Sequence, residues 1–405
     1  MAGIYIHIPF CRSRCIYCGF YSTTSLELRQ RYVEAVCREM EIRSLSKGSG
    51  SISTIYFGGG TPSQLTIPQL RQLLLYINKV YQLPQGAGGR LEITIEVNPD
   101  DVTEAFAEGL RSLTVNRVSM GAQTFNDERL RFLHRRHTSQ QVIEAVSRLR
   151  AVGINNISVD LMYGFPGETL SEWQKDIEAA LALNVEHLSA YCLTVEEGTI
   201  LHKLISGEWR VDSYDYSLGV QGNHNCPLST IHYPLPDEEL ERQMYELLID
   251  RLEAAGYEHY EISNFAKPGY RSRHNSGYWN DTPYVGLGAA AHSYDGHTRS
   301  WNVSDLQQYI EGIEHGERRF EEEIIDADTH YNDMVTVALR TREGLDLSSF
   351  PEQHRAYAIS SARPFIDDSL LALNGSRLSL TRRGLFVSDM IMSALIYLHN
   401  SQKDN

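Results

Sequence analysis

The feature that most constrains the fold is an alternation of strand-like and helix-like segments along the first half of the chain. Six short segments rich in Ile, Val, Tyr and Leu have the pattern of β-strands, at residues 3–8, 52–57, 91–97, 115–120, 154–161 and 187–193. Amphipathic stretches typical of helices lie between most of them, at residues 26–46, 66–82, 103–112, 138–152 and 170–183. Such alternation predicts a parallel sheet with crossover helices, either as a partial barrel or as an open, doubly wound sheet.

The second half of the chain has a different pattern. Residues 206–236 are polar and rich in turn-forming residues, which is typical of a long loop or insertion. A helix is predicted over 237–255, helices dominate from residue 304 onward, and the last helix is expected at 385–399. We therefore predict a core domain at residues 1–205, an insertion at 206–236, a core extension at 237–319 and a small, mainly helical domain at 320–405.

Composition and charge exclude several classes of protein. The formal net charge of −15 argues against a uniformly basic nucleic-acid surface and against a polybasic membrane anchor. No apolar run reaches the ~20 residues that span a bilayer. The N-terminus lacks the basic segment and long apolar stretch of a secretory signal. We therefore expect a cytoplasmic protein with no nucleic-acid partner.

Three of the six cysteines lie close together, directly after the first predicted strand. Cys11, Cys15 and Cys18 have the spacing Cys-x3-Cys-x2-Cys. In a reducing compartment, clustered cysteines predict metal or cluster ligands rather than disulfides. Three thiolates can bind three irons of one cubane and leave the fourth iron open to a small molecule. A zinc site would need a fourth Cys or His nearby, and a redox pair of Cys15 and Cys18 would leave Cys11 unexplained.

Glycine-rich and acidic segments follow the next predicted strands. The carboxyl ends of parallel strands meet at one rim, where functional residues collect. Gly58, Gly59, Gly60 and Thr61 follow the second strand, and glycines permit close approach of a ligand, although a tight turn explains them equally well. Glu96 ends the third strand, where a carboxylate suits ribose hydroxyls or an ammonium group. A solvated strand end is the more ordinary explanation for a lone glutamate.

The cysteine segment resembles a known superfamily. Its spacing at the end of the first strand is similar to that of the radical S-adenosylmethionine (radical SAM) superfamily. The fuller stretch from Tyr5 to Cys18, Tyr-Ile-His-Ile-Pro-Phe-Cys-x3-Cys-x-Tyr-Cys, resembles the group that contains oxygen-independent coproporphyrinogen III oxidase. The resemblance covers nearly the whole chain apart from about 206–236. It implies an α/β fold with a partial (β/α)6 barrel, a [4Fe–4S] cluster on the three cysteines, and S-adenosylmethionine at the open iron.

The resemblance also implies which residues contact S-adenosylmethionine. It assigns the methionine amine to the glycine segment with Thr61, and it makes Glu96 a cofactor contact. Arginine can pair with the methionine carboxylate, while Asp and Gln can bond the ribose hydroxyls. The further implied contacts are Tyr5, Tyr17, Gln123, Arg135 and Asp160.

A second motif lies far along the chain. His274, Asn275, Tyr278 and Trp279 stand in the segment RSRHNSGYWN, and composition alone favours a polar turn that enters an aromatic strand. The segment nevertheless resembles the HNxxYW signature of the radical SAM haem chaperones. Aromatic and histidine side chains suit a porphyrin face or a haem iron. The resemblance therefore makes these four residues candidates for a haem site.

Two departures separate this chain from the oxidase pattern. The oxidase has a further cysteine two residues after the third, and Phe20 stands at that place here. The oxidase also has a substantial N-terminal segment, whereas ten residues precede Cys11. The resemblance thus implies a chaperone that binds haem and delivers it to haem-dependent membrane proteins, with a peripheral membrane contact. Radical decarboxylation of coproporphyrinogen III is the alternative.

Overall fold

The computed structural model describes residues 2–43, 52–83, 91–206 and 235–398. The predicted insertion at 206–236 therefore lies outside the described residues except at its two ends. No helix in these ranges is long and apolar enough to cross a bilayer.

A twelve-stranded sheet contains the six predicted strands as parallel neighbours in chain order. A doubly wound sheet would reverse its strand order at a switch point, and this sheet does not do so between its first and sixth strands. The open alternative is therefore resolved in favour of the partial barrel. The strands are β1 Ala2–Ile8, β2 Ile52–Gly59, β3 Glu92–Val97, β4 Arg117–Gln123, β5 Asn156–Tyr163 and β6 His187–Cys192.

Five helices lie between these strands where the amphipathic pattern predicts them, and two short helices, at 127–132 and 200–205, were not predicted. They are α1 Arg29–Arg43, α2 Ile67–Tyr81, α3 Glu104–Ser112, α4 Asp127–Phe132, α5 Ser139–Ala151, α6 Leu170–Ala182 and α7 Ile200–Ile205. Thr66, Thr138 and Thr169 each begin a helix with a capping box, in which the threonine side chain accepts from a backbone N–H of the first turn. These caps fix where α2, α5 and α6 leave the preceding loops.

Six further strands extend the sheet at both edges, and the sequence analysis did not predict them. They are three to five residues long and, apart from the buried strand at 264–266, partly exposed, so they carry little periodicity. One edge carries β7 Glu258–Glu261 and β8 Asn264–Ala266, and the other carries β9 Tyr284–Leu287, β10 His292–Tyr294, β11 Thr298–Asn302 and β12 Phe320–Ile324. Strand β9 pairs with β1 in parallel, while β10 to β12 are antiparallel.

The helices α8 Glu238–Ala254, α9 Arg273–Trp279 and α10 Leu306–Glu314 lie between these strands. The C-terminal region is helical, with its own hydrophobic core, but it also contains a three-stranded antiparallel sheet. Its elements are α11 Ala327–Ala338, β13 Leu345–Asp346, α12 Glu352–Asp367, β14 Leu371–Asn374, β15 Arg377–Leu380, α13 Arg382–Leu385 and α14 Ser388–Leu395. The single helix expected at 385–399 is thus two short helices. The domain boundaries at 205, 236 and 319 stay predictions.

Glu39 joins helix α1 to the added strands. Its buried carboxylate accepts hydrogen bonds from the backbone N–H of Gly288 (2.9 Å), from Asn302 Nδ2 (2.8 Å) and from the Tyr309 hydroxyl (2.7 Å). Arg43 Nη1 lies 3.2 Å from the same carboxylate. A buried charge is tolerated only when it is paired and hydrogen-bonded, so the Glu39 carboxylate requires these partners. The partners in turn use this carboxylate as a shared acceptor.

We predict that Glu39→Ala lowers the free energy of unfolding by about 3–5 kcal/mol, because it removes the buried carboxylate that pairs with Arg43 and accepts from three other donors. Urea unfolding followed by circular dichroism measures the change. Glu34→Ala, on an exposed position of the same helix, is the control and should stay within about 0.5 kcal/mol of the parent. Equal effects of the two substitutions would contradict the role of Glu39.

Candidate functional site

A cavity of about 520 Å³ opens at the carboxyl ends of the six parallel strands. Every one of these strands, or the loop that follows it, contributes to the lining, as the rim prediction requires. The predicted residues that line it are Cys11, Cys15, Tyr17, Cys18, Gly59, Gly60, Thr61, Glu96, Gln123, Arg135 and Asp160.

The three cysteines of the motif are free, partly exposed thiols. Cys11 Sγ lies 3.4 Å from Thr61 Oγ1, and Cys15 Sγ lies 3.6 Å from Arg135 Nη1. Among the described residues, no three His, Cys, Asp or Glu side chains converge to hold one metal ion. A cubane spreads its thiolate ligands over three different irons, so they need not converge on one point. Thiolates are ligands that suit the irons of such a cluster.

The glycine segment packs directly against the cysteine loop. Gly59 has a φ of +113°, and a Cβ at this position would lie 2.7 Å from the His7 ring. A Cβ at Gly60 would lie 2.9 Å from the Pro9 backbone and 3.1 Å from Cys11 Sγ. Both positions therefore require glycine because the chain itself approaches so closely. The segment fixes the end of β2 beside the cysteines.

Two carboxylates stand at the bottom of the cavity. Glu96 accepts a hydrogen bond from the Tyr56 hydroxyl (2.7 Å) and another from the Gly59 N–H (3.1 Å). Burial, with repulsion from Asp160, raises the pKa of Glu96 to about 7, although the bond from Tyr56 opposes the shift. Burial also raises the pKa of Asp160, which accepts from Ser119 Oγ at 3.2 Å. Glu96 therefore changes charge near neutral pH.

Arg135 lies buried at one side of the cavity. Its Nη2 donates to Asn98 Oδ1 (2.8 Å) and to the Gly121 carbonyl (2.5 Å). Its Nε is buried and has no hydrogen-bond partner in the described structure. A buried donor without an acceptor is rare and indicates a missing partner, and a ligand carboxylate would supply one. Gln123 lies nearby at a β-bulge with a φ of +68°, a backbone conformation that residues other than glycine seldom adopt.

Tyr5 and Gly58 lie next to the cavity rather than among its lining residues. The Tyr5 hydroxyl is 3.0 Å from His7 Nδ1, and its ring stacks on Tyr56 at 6.2 Å between centroids. A Cβ at Gly58 would lie 2.7 Å from the Tyr56 ring and 2.9 Å from the Tyr5 ring. These two residues therefore support the bottom of the cavity, whereas Tyr17 lines it.

Several lining residues were missed by the sequence analysis. Ser119 lies two positions before Gly121 on β4, and alternate residues of a strand share one face, so the strand period could have identified it. Arg136, which follows Arg135, forms ion pairs with Asp100 and Asp101. The other missed residues that line the cavity include Asn98, His134, Met162, Tyr191 and Cys192. They lie in loops or at strand ends without a distinctive motif.

The second motif forms most of helix α9, at the amino ends of β2 and β3. His274 is buried, its Nδ1 lies 2.8 Å from Thr54 Oγ1, and its Nε2 lies 3.0 Å from the Tyr278 hydroxyl. Its ring stacks on Tyr56 at 4.9 Å between centroids. Burial lowers the pKa of His274 to about 3, so the ring is neutral. Both ring nitrogens are engaged, and the residue lies outside the lining of the cysteine cavity.

The helix itself corrects the expectation of a turn followed by a strand. Ser272 begins α9, and the Glu92 carboxylate accepts from the backbone N–H groups of Arg273 (3.3 Å) and His274 (3.1 Å). These partners satisfy donors of the first helical turn. Asn275 and Trp279 are partly exposed on the same helix.

Comparison with known proteins gives consistent matches. Residues 5–180 match the family model of the Radical SAM superfamily, and residues 325–387 match that of the HemN C-terminal domain. Heme chaperone HemW of Bacillus subtilis (strain 168) is 34% identical over 98% of this chain and 99% of its own length. Heme chaperone HemW of Mycobacterium tuberculosis (strain ATCC 25618 / H37Rv) is 33% identical over 97% of this chain and 94% of its own.

Among solved structures, coproporphyrinogen III oxidase (HemN) from Escherichia coli is similar, with a TM-score of 0.79 at 22% sequence identity. The match covers 98% of this chain and 90% of that chain. At this identity the likeness shows a shared fold.

We predict that Cys11→Ser, Cys15→Ser and Cys18→Ser each abolish iron incorporation, because each removes one thiolate of a three-thiolate site. Iron analysis and visible absorbance after anaerobic reconstitution measure the loss. Cys192→Ala, at a cysteine that lines the same cavity, is the control and should retain iron. Loss of iron in that variant as well would place a fourth thiolate on the cluster.

We predict that affinity for S-adenosylmethionine falls as the pH is lowered from 8 to 6. Glu96 takes up a proton as the pH falls past its raised pKa, and this removes the negative charge that attracts the ligand. The ratio of parent to Glu96→Gln affinity should fall by up to about tenfold per pH unit below this pKa. Equilibrium dialysis measures binding, and Glu104→Gln, on an exposed position, is the control. A pH-independent ratio would remove Glu96 from the binding contacts.

Proposed function

The chain belongs to the HemW family of haem chaperones within the radical SAM superfamily, and from this membership we propose that it binds haem and delivers it to haem-dependent membrane proteins. The observation that carries the proposal is similarity along nearly the whole chain to two HemW chaperones, which includes the cysteine loop and helix α9 alike. The contact with a membrane is peripheral in this proposal, and the protein is cytoplasmic.

We further propose that the cysteine cavity holds a [4Fe–4S] cluster with S-adenosylmethionine beside it. When bound, the cluster supplies an electron that can cleave the sulfonium of S-adenosylmethionine. Arg135 offers its unpartnered Nε to the methionine carboxylate. Glu96 and Asp160 offer carboxylates to the ribose hydroxyls or the ammonium group. Gly59, Gly60 and Thr61 keep the methionine end against the cysteine loop.

Decarboxylation of coproporphyrinogen III is the second candidate function, and the fold shared with HemN is the observation in its favour. Phe20 opposes it, because this residue lines the cysteine cavity where the oxidase pattern has a further cysteine. Its side chain is 73% exposed and has no atom that could bind a metal or donate a proton. The cavity of this chain therefore offers no thiol at that place.

Helix α9 supports the haem part of the proposal in a specific way. With both ring nitrogens engaged, His274 holds the helix on Thr54 of β2 and fixes the ring of Tyr278 within the helix. The side chains of Asn275, Tyr278 and Trp279 are partly exposed and are free to contribute to a haem surface. We propose that the motif acts as such a surface rather than through iron ligation by His274.

We predict that anaerobic, cluster-reconstituted protein takes up one haem per chain and does not convert coproporphyrinogen III, since the cavity lacks the oxidase's additional cysteine. A Soret-band titration measures haem uptake, and chromatography of porphyrins from the same sample measures turnover. Turnover to protoporphyrinogen IX would overturn the chaperone proposal. Absence of haem uptake at micromolar concentrations would overturn it too.

A further inference from the structure

A row of polar side chains crosses the barrel interior below the cysteine cavity. Thr94 of β3, Arg117 of β4 and Asn156 of β5 are register partners in the parallel sheet, so they lie side by side. Alternate residues of a strand share one face, and the next partners on this face are Glu96 and Ser119 at the cavity. Arg117 is 1% exposed and does not line the cavity. The row therefore lies in the closed part of the barrel, one step beneath the cavity.

The atoms of this row lack hydrogen-bond partners. Arg117 Nε and Nη1, Thr94 Oγ1 and Asn156 Oδ1 are all buried without a partner in the described part of the chain. Buried polar groups are nearly always bonded, and a guanidinium does not lose its proton in a protein. Arg117 is therefore a permanent buried charge with two unused donors, and nearby negative charge must balance it.

Glu96 and Asp160 are the acidic groups that balance Arg117. Burial raises the pKa of both carboxyl groups, and the positive charge of Arg117 opposes this rise. Glu92 lies on the same face of β3, but its carboxylate accepts from two backbone N–H groups of α9. The charge of Arg117 therefore acts on the two carboxylates of the cavity.

The other described groups that face these carboxylates are neutral. Hydroxyl groups surround them on the neighbouring strands and on α9, and they belong to Tyr5, Tyr56, Ser119, Ser158, Ser189, Tyr191 and Tyr278. Burial raises the pKa of each of these tyrosines, so they stay uncharged. At the side of the cavity, Arg135 donates to Asn98, and Arg136 pairs with Asp100 and Asp101. Arg117 is thus the cation that counters the repulsion between the two carboxylates.

The position of Arg117 one row below the carboxylates matters for a ligand. An arginine in direct contact takes up both oxygens of a carboxylate in two parallel hydrogen bonds. Glu96 and Asp160 instead accept from hydroxyl and backbone groups. A charge at a greater distance favours the ionised form and leaves lone pairs of the oxygens free for a ligand.

We propose that Arg117 is a positioning residue for S-adenosylmethionine, whose charge keeps Glu96 and Asp160 ionised for the cationic and hydroxyl groups of this ligand. The inference rests on the proposed S-adenosylmethionine site in the cysteine cavity and adds the source of the charge on which that site depends. Arg117 acts through the two carboxylates and does not touch the ligand.

The test measures affinity for S-adenosylmethionine between pH 6 and 9, by equilibrium dialysis on anaerobic, cluster-reconstituted protein. In the parent, affinity falls with the pH through the pKa of Glu96 at about 7. Arg117→Met removes the charge and keeps a long, unbranched side chain. The midpoint of its profile moves upward by about one pH unit, which lowers affinity about fivefold at pH 7. At pH 9 the carboxylates are ionised in both proteins, and the two affinities agree.

Three further variants separate the charge of Arg117 from its packing. Arg117→Lys keeps the charge and retains the midpoint of the parent. Arg117→Gln is neutral but polar, so it gives the same upward shift even where the methionine variant fails to fold. Arg111→Met removes a positive charge from an exposed position of α3 and leaves the profile unchanged. An arginine with a purely structural role would lower affinity equally at every pH, and lysine would not preserve the midpoint.

The outcomes separate this inference from the proposed function. Absence of binding by the parent at every pH would overturn the proposed S-adenosylmethionine site and this inference with it. Binding by the parent together with an unshifted midpoint in Arg117→Gln, or with an equal loss at pH 7 and pH 9, would overturn the role of Arg117 alone. The iron content and the circular dichroism of each folded variant, expected to equal those of the parent, show that the barrel is intact.

Discussion

The parallel pairing of β1 with β2 is the constraint on which the rest of the structure depends. Its register places Ile8 opposite Gly59, and the Gly60 N–H donates to the Ile8 carbonyl at 2.9 Å. This pairing brings the loop with the cysteines and the loop with the glycines to the same point. A slip by one residue would turn every side chain of β2 to the other face and remove Tyr56 from Glu96. The close approach that forbids a Cβ at Gly59 and Gly60 keeps this register unique.

Tyr56 connects the two functional regions of the molecule. Its hydroxyl donates to Glu96 at the cysteine cavity, and its ring stacks on His274 of the second motif. Alternate residues of β2 face the barrel interior, so Thr54 reaches the same histidine from one position lower in that face. One strand thus supports Glu96 of the cysteine cavity at its carboxyl end and a helix at its amino end. The two motifs, far apart in sequence, are parts of one packed interior.

Much of the core could be predicted because its signals are local. Strands β1 to β6 are dense in β-branched and aromatic residues, and α2, α5 and α6 begin at threonine caps. The rim of the cavity followed from strand direction alone. Helix α9 could not be predicted in this way, because the Glu92 carboxylate that accepts from its first turn lies 182 positions earlier in the chain. The unpartnered Nε of Arg135 and the raised pKa of Glu96 likewise depend on burial, which periodicity does not report.

The stack of His274 on Tyr56 has a consequence for ligand access to the barrel. These rings occupy the barrel interior between its two ends, so the cysteine cavity and the α9 side of the sheet have separate entrances. The cavity beside α9 and the cysteine cavity have no lining residue in common. Any communication between the ends must pass through bonded neighbours such as Tyr56 rather than by exchange of molecules. The barrel interior of this chain therefore separates two openings and does not join them.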